Sequence, residues 1–288
     1  MKNNGERLRA RNLILLVVFL LVIVLVLYVF LQPARNVSEI RQPGEAVRNV
    51  SVNSTSVRSI TLASWNLQAF GQHKASNATL LEAYARVLGA YDIAFVQEIR
   101  DETGSAFPAL CARIPTHNCI NSSRAGRSSN KEQIGIIYRK NIKLVGFRDF
   151  NPDPKDRWER HPIEVDFETD GYQLRVYNIH TAPDSVPTEL AALEPIVNAS
   201  ENTVVLGDLN ADCGYYPKNN RTHFKNWTWV IPEGADTTVH ATNCAYDRIL
   251  LNGNATSEFV DYGIYKTGIN TTISDHYLVW VNLSERDN

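Results

Sequence analysis

Three polar segments in the C-terminal third hold the residue types needed to break a phosphodiester with a metal's help. They are Gly207-Asp208-Leu209-Asn210-Ala211-Asp212-Cys213, Asn243-Cys244-Ala245-Tyr246-Asp247-Arg248 and Ser274-Asp275-His276. Carboxylates and an amide offer the hard oxygen ligands that Mg²⁺ and Ca²⁺ prefer, and an imidazole moves protons near neutral pH. The spacing is too irregular for one helix face. Separate elements must therefore bring the segments together.

Those elements are legible as apolar runs. Residues 60–65, 93–96, 134–138, 174–179, 204–206, 249–251 and 278–281 are predicted strands, and residues 78–88 place apolar side chains at helical spacing. Short strands with few clear helices between them predict an α/β fold of two packed β-sheets flanked by helices, a four-layer sandwich. Asn66, Glu98, His180, Asp208 and Asn210 follow strand ends in turn. Side chains so placed share one rigid rim. His73, His117, His161 and His223 have no partner that the sequence reveals.

The chain has 288 residues, of which 44% are hydrophobic and 21% charged, enough for one large domain. Residues 13–31 are uncharged and almost entirely Leu, Val, Ile and Phe. At about 1.5 Å per residue, a helix of that length reaches about 28 Å, close to the hydrocarbon thickness of a bilayer. Lys2, Arg7, Arg9 and Arg11 precede it against Glu6 alone, which puts the N-terminus in the cytoplasm and the rest outside. The expectation is one transmembrane helix ahead of the sandwich: residues 1–12 cytoplasmic, 13–31 a signal anchor in the lipid bilayer, 32–59 an extended stalk, and 60–288 a folded domain. A cleaved signal peptide and a secreted product form the alternative, although residues 31–35 make a poor cleavage site.

Export agrees with two other features. Asn-x-Ser/Thr sequons stand at Asn36, Asn49, Asn53, Asn77, Asn121, Asn198, Asn220, Asn226, Asn254, Asn270 and Asn282. All four cysteines lie beyond the apolar span, and two disulfides result most simply from Cys111–Cys119 and Cys213–Cys244, with four buried thiols as the alternative. Their spacing is not that of a zinc site. The net charge is −2, but residues 1–12 carry +3, so the remainder carries −5. That balance disfavours a passive DNA-coating module, which would carry a basic field.

The stretches Trp65-Asn66-Leu67, Ser76-Asn77-Ala78-Thr79-Leu80, Gln97-Glu98-Ile99-Arg100-Asp101, Ala235-Asp236-Thr237-Thr238 and Ile273-Ser274-Asp275-His276-Tyr277 join the segments above in a family likeness. From residue 60 to 283 the chain resembles the secreted deoxyribonuclease I branch of the endonuclease/exonuclease/phosphatase superfamily. The resemblance implies a catalytic domain in which Glu98, with Asn66, binds the catalytic Mg²⁺, joined by Asp208, Asn210 and Asp275. It places His180 and His276 on either side of the scissile phosphate, oriented by Glu132 and Asp247. Arg100 would enter the minor groove, Arg160 would contact backbone phosphate, and Arg127 and Asn130 would lie beside the substrate. Asn130 stands where the pattern has a tyrosine. Asp236, Thr238 and Thr242 resemble a structural Ca²⁺ loop, with His240 where a threonine is expected. The implied activity is metal-dependent endonucleolytic hydrolysis of double-stranded DNA to 5′-phosphorylated fragments with little sequence preference. No protein partner is implied. The alternatives are a phosphodiesterase or phosphatase acting on phospholipid or inositol phosphate, and a non-catalytic surface binding protein.

Overall fold

Strand β1 (Ser59–Phe70) alternates between two interiors: Ile60 and Leu62 enter one apolar cluster, and Ala63, Trp65 and Leu67 enter another. A strand buried on both faces must lie between layers. In the computed structural model of the chain, which describes residues 58–198 and 202–285, β1 is a central strand of one of two six-stranded sheets. The expected membrane span and almost all of the expected stalk lie outside the described residues. Among those residues, no helix is long and apolar enough to cross a membrane.

The first sheet runs β11 (Phe259–Tyr265), β12 (Leu278–Ser284), β1, β2 (Ile93–Ile99), β4 (Gln133–Arg139), β3 (His117–Asn121). The second runs β5 (Lys143–Asp149), β6 (Ile163–Thr169), β7 (Tyr172–Asn178), β8 (Asn202–Asp208), β10 (Asp247–Gly253), β9 (Thr228–Trp229). Both are mixed: β1 pairs with β2 and β7 with β8 in parallel, and the other pairs are antiparallel. Residues such as Phe95, Phe167, Val204, Ile249 and Val281 fill the space between the sheets.

Helices α1 (Gln72–Ala75), α2 (Ala78–Leu88), α3 (Ala106–Cys111), α4 (Val186–Leu193) and α5 (Asn254–Ser257) complete the described fold. Leu81, Tyr84 and Leu88 of α2 and Phe107 and Leu110 of α3 pack on the outer face of the first sheet. Val186, Leu190 and Leu193 of α4 cover the second. The result is the expected four layers. Helix α2 spans the residues that the apolar periodicity marked, and the side chain of Asn77 caps it by accepting from the N–H groups of Thr79 and Leu80 at 3.0 and 3.2 Å.

Strands β3, β5, β6, β9 and β11 go beyond the predicted set. In β6, buried Ile163, Val165 and Phe167 alternate with half-buried Glu164, Asp166 and Glu168, a period-two pattern without the apolar run on which the other strands were read. Edge strands β5 and β11 leave Val145, Phe147, Val260 and Tyr262 exposed, so burial contributes little to their signal.

The chain enters the sandwich at the pole where Glu285 N–H donates to the Arg58 carbonyl at 2.9 Å. Asn66 lies eight residues beyond Arg58, about 26 Å away at the rise of an extended strand.

Candidate active site

Antiparallel pairing of β8 with β10 sets Asp208 opposite Asp247. Two carboxylates so placed repel unless positive charge or a donor stands between them. His276 fills that role, with Nδ1 2.9 Å from Asp247 Oδ2 and Nε2 3.6 Å from Asp208 Oδ2. The parallel register of β7 and β8 brings His180 to the same place from the other side. Its Nδ1 bonds Glu132 Oε1 at 2.5 Å and its Nε2 is 3.4 Å from the same Asp208 Oδ2. The site is thus a pair of acid-backed imidazoles whose Nε2 atoms converge on one oxygen.

Glu98 joins them from β2. The ladders β1–β2 and β2–β4 both break register there, and Glu98 itself has φ 61°. Bulges re-aim side chains, and a left-handed non-glycine residue is strain held by its surroundings. The Ala69 N–H, from a β1 bulge that is also left-handed, donates to Glu98 Oε2 at 2.8 Å. Asn66 Nδ2 then donates to both Glu98 Oε1 at 3.2 Å and Asp208 Oδ2 at 2.9 Å, bridging the two sheets. Asn210, another left-handed residue, caps its own turn through N–H to Asp208 Oδ1 and sends Nδ2 to the Thr181 carbonyl.

Several groups that hold this arrangement escape a sequence reading. Ser274 Oγ donates to the Asn66 carbonyl at 2.6 Å and accepts from His276 N–H at 3.0 Å. Lys74 Nζ donates to the carbonyls of Leu67 and Ile273, both at 2.8 Å, tying the exit of β1 to the loop before Asp275. Burial depresses the Lys74 pKa against the opposing pull of Asp275 and Glu98. Gln97 Nε2 reaches Asn178 Oδ1 at 3.2 Å and ties the sheets again. No local pattern marks these partners, because the Lys74–Ile273 bond spans 199 residues.

Gly207 is required by contact. Its φ is +144°, and a Cβ there would sit 2.0 Å from the Ile179 carbonyl oxygen. Gly207→Ala is expected to displace the residue before His180 and destabilise the fold by about 2–3 kcal/mol, checked by denaturant unfolding.

Cys213–Cys244 and Cys111–Cys119 are bonded, and the first joins the loop after Asn210 to the loop before Asp247. Closing a segment of 31 residues stabilises by about 3–4 kcal/mol in the chain-entropy picture. The Cys213→Ser/Cys244→Ser variant is expected to lose roughly that amount in urea melts and to become protease-sensitive around residues 213–244.

Charge at the site is tightly balanced. Burial alone would lower the pKa of His276, but Asp247, Asp208 and Asp275 outweigh it and hold the imidazolium. Burial likewise opposes the charge on His180, and Glu132 and Asp208 reverse that effect. Asp208 is pushed up by burial and brought below its ordinary value by the two histidines. For Glu98, burial is outweighed by His180, Arg100 and the Ala69 N–H.

Ligand atoms gather within 4.8 Å in two groups, Glu98/Glu132/His180 and Asp208/Asp247/His276. Glu132 and Asp247 already bond an imidazole Nδ1, which suits orienting a histidine more than ligating an ion. The donors that fit a hard divalent cation are the oxygens of Glu98 and Asp208, held around a single neutral amide, with Asn210 and half-buried Asp275 beside them.

The substrate-side residues divide. Arg100 is at the site, 3.0 Å from Glu98 Oε2 and 3.6 Å from Glu132 Oε2. Arg160 is there too, but its Nε and Nη2 donate to the carbonyls of His180 and Thr181, and Nε is 3.4 Å from Glu132. Arg127 spends its guanidinium on Asp156 and Glu159, and Asn130 is exposed with its N–H on Ser128 Oγ. Of the histidines without an expected partner, His223 bonds Glu194 at 2.9 Å and buried His117 meets the Tyr91 carbonyl at 2.9 Å.

A profile of the Endonuclease/Exonuclease/phosphatase family matches residues 63–276. "Deoxyribonuclease-1" of Gallus gallus is 33% identical over 264 residues, covering 79% of this chain and 93% of that protein. "Deoxyribonuclease-1" of Homo sapiens is 33% identical over 219 residues, covering 68% of this chain and 78% of that protein. In fold, the chain is similar to an endonuclease/exonuclease/phosphatase from Bacteroides vulgatus, with a TM-score of 0.59 at 17% identity over 80% of this chain and all of that one. It is also similar to truncated Caenorhabditis elegans TDP2, with a TM-score of 0.58 at 14% identity over 78% of this chain and 97% of that one.

Proposed function

Because the chain belongs to the endonuclease/exonuclease/phosphatase family, we propose that it hydrolyses DNA phosphodiester bonds as a metal-dependent endonuclease. One observation carries the reading: two imidazoles, each backed by a carboxylate, aim Nε2 at one point, 3.4 and 3.6 Å from Asp208 Oδ2.

Glu132 and Asp247 hold the Nδ1 protons, so each histidine works through Nε2. One Nε2 takes the proton of the attacking water, and the other gives a proton to the leaving 3′ oxygen. Water adds to phosphorus, the P–O3′ bond breaks, and the products are a 5′-phosphate and a 3′-hydroxyl. Glu98 and Asn66, with Asp208, Asn210 and Asp275, would hold Mg²⁺, whose charge stabilises the phosphate oxygens as negative charge develops. Arg100, 3.0 Å from Glu98 Oε2 and partly exposed, would contact the incoming strand beside the metal-binding carboxylate. Duplex DNA fits this reading, since contacts to phosphate and groove read shape more than sequence. The decisive experiment offers plasmid, RNA and sphingomyelin to the purified full-length protein across a Mg²⁺ titration. Plasmid nicking that EDTA stops is the expected result, and intact plasmid with hydrolysed lipid would end the proposal.

We also propose that the protein is anchored through residues 13–31 with its catalytic domain outside the cytoplasm. Export is supported by six of the eight described sequons, at Asn77, Asn121, Asn198, Asn220, Asn226 and Asn270, which are exposed, while Asn254 and Asn282 are half-buried. Carbonate extraction of membranes tests the anchor, and release of the protein into the soluble fraction would refute it.

A further inference from the structure

The loop over residues 236–242 resembles a calcium loop in sequence, yet the side-chain oxygens of Asp236 and Thr238 are already engaged. Asp236 is its single carboxylate, and Asp236 Oδ2 lies 2.9 Å from Lys266 Nζ. Asp236 Oδ1 accepts from Thr238 N–H at 3.2 Å. Thr238 Oγ1 donates to the Thr242 carbonyl at 3.0 Å. His240 contributes an imidazole, which lies 3.8 Å from Asp275 Oδ2. Calcium takes six to eight oxygens, usually with more than one carboxylate, and imidazole is a poor substitute. The residues present do not fit the ion.

Lys266 is kept in place by more than its ion pair. It follows the last residue of β11, and its ammonium stands 4.7 Å over the ring of Tyr277. The loop it neutralises grips the catalytic segment directly. Val239 N–H donates to the Asp275 carbonyl and Tyr277 N–H to the Thr237 carbonyl, both at 2.8 Å, and Thr238 bridges His276. Thr237 Oγ1 also accepts from Asp247 N–H at 3.2 Å.

We infer that the Lys266 ammonium is an internal counter-cation that takes the place of calcium at Asp236 and holds the 275–277 segment in register without that ion. Lys266 is a positioning residue, and it acts so whatever bond the site cleaves.

Hydrogen exchange at the amides of Val239 and Tyr277, in the full-length protein with Mg²⁺ fixed and either EGTA or CaCl₂ added, tests this directly. Parent protection is expected to be the same in both. Lys266→Gln in EGTA is expected to exchange at these two amides about 3–10-fold faster while strand β8 is unaffected, and Lys266→Arg is expected to restore protection. A parent whose protection rises with calcium, with the rise lost in Asp236→Asn, overturns the inference. So does a Lys266→Gln protein as protected as the parent in EGTA. A calcium effect that survives in Asp236→Asn arises elsewhere and leaves the inference standing. Should Lys266→Gln fail to fold, the parent and Asp236→Asn comparison still decides.

Discussion

His180→Ala and His276→Ala are each expected to lower single-turnover plasmid cleavage by about 10²–10⁴-fold with the fold intact. The argument rests on convergence: both Nε2 atoms approach one carboxylate oxygen, so each histidine has only the other as a substitute for its proton transfer. Acid and base act in one step, so the double variant should be far less than multiplicatively worse. Glu132→Gln and Asp247→Asn keep the imidazoles in place while removing the charges that fix and feed them. Losses of about 10–100-fold are expected there. Histidine variants that cut as fast as the parent would dismiss the acid–base assignment.

Asp208→Asn is expected to lose about 10³-fold or more in the same assay. This one carboxylate faces His180, His276 and the amide of Asn66, and it is buried. Its removal withdraws charge from both imidazoles and from the proposed cation site together. Glu98→Gln, by contrast, should raise the Mg²⁺ concentration needed for half-maximal cleavage, since Glu98 is partly exposed beside Arg100 and has no imidazole bonded to it. If excess Mg²⁺ restored Asp208→Asn to parent activity, Asp208 would be a metal ligand alone and its role between the histidines would be wrong.

The residues proposed to act lie at the ends of buried strands. β8 is apolar from Val204 to Leu206 and ends on Asp208, and β10 begins on Asp247. The closing of His180 on Glu132 was not readable from the strands themselves, and family resemblance supplied it. Periodicity alone misses groups such as Lys74, whose bond to Ile273 exists only once two distant segments meet. It likewise misses Glu98's left-handed backbone, which depends on bulges in two ladders at once. Arg127 shows the opposite limit. The family resemblance sets it beside the substrate, and here its guanidinium bonds Asp156 and Glu159, about 30 residues away, partners that no local pattern marks.

The direction of β1 has a mechanical consequence. Arg58 and Glu285 share one pole, and the residues of the proposed site stand at the opposite one, about 26 Å along the strand. Chain that enters through Arg58 therefore joins this unit at the end remote from the proposed site.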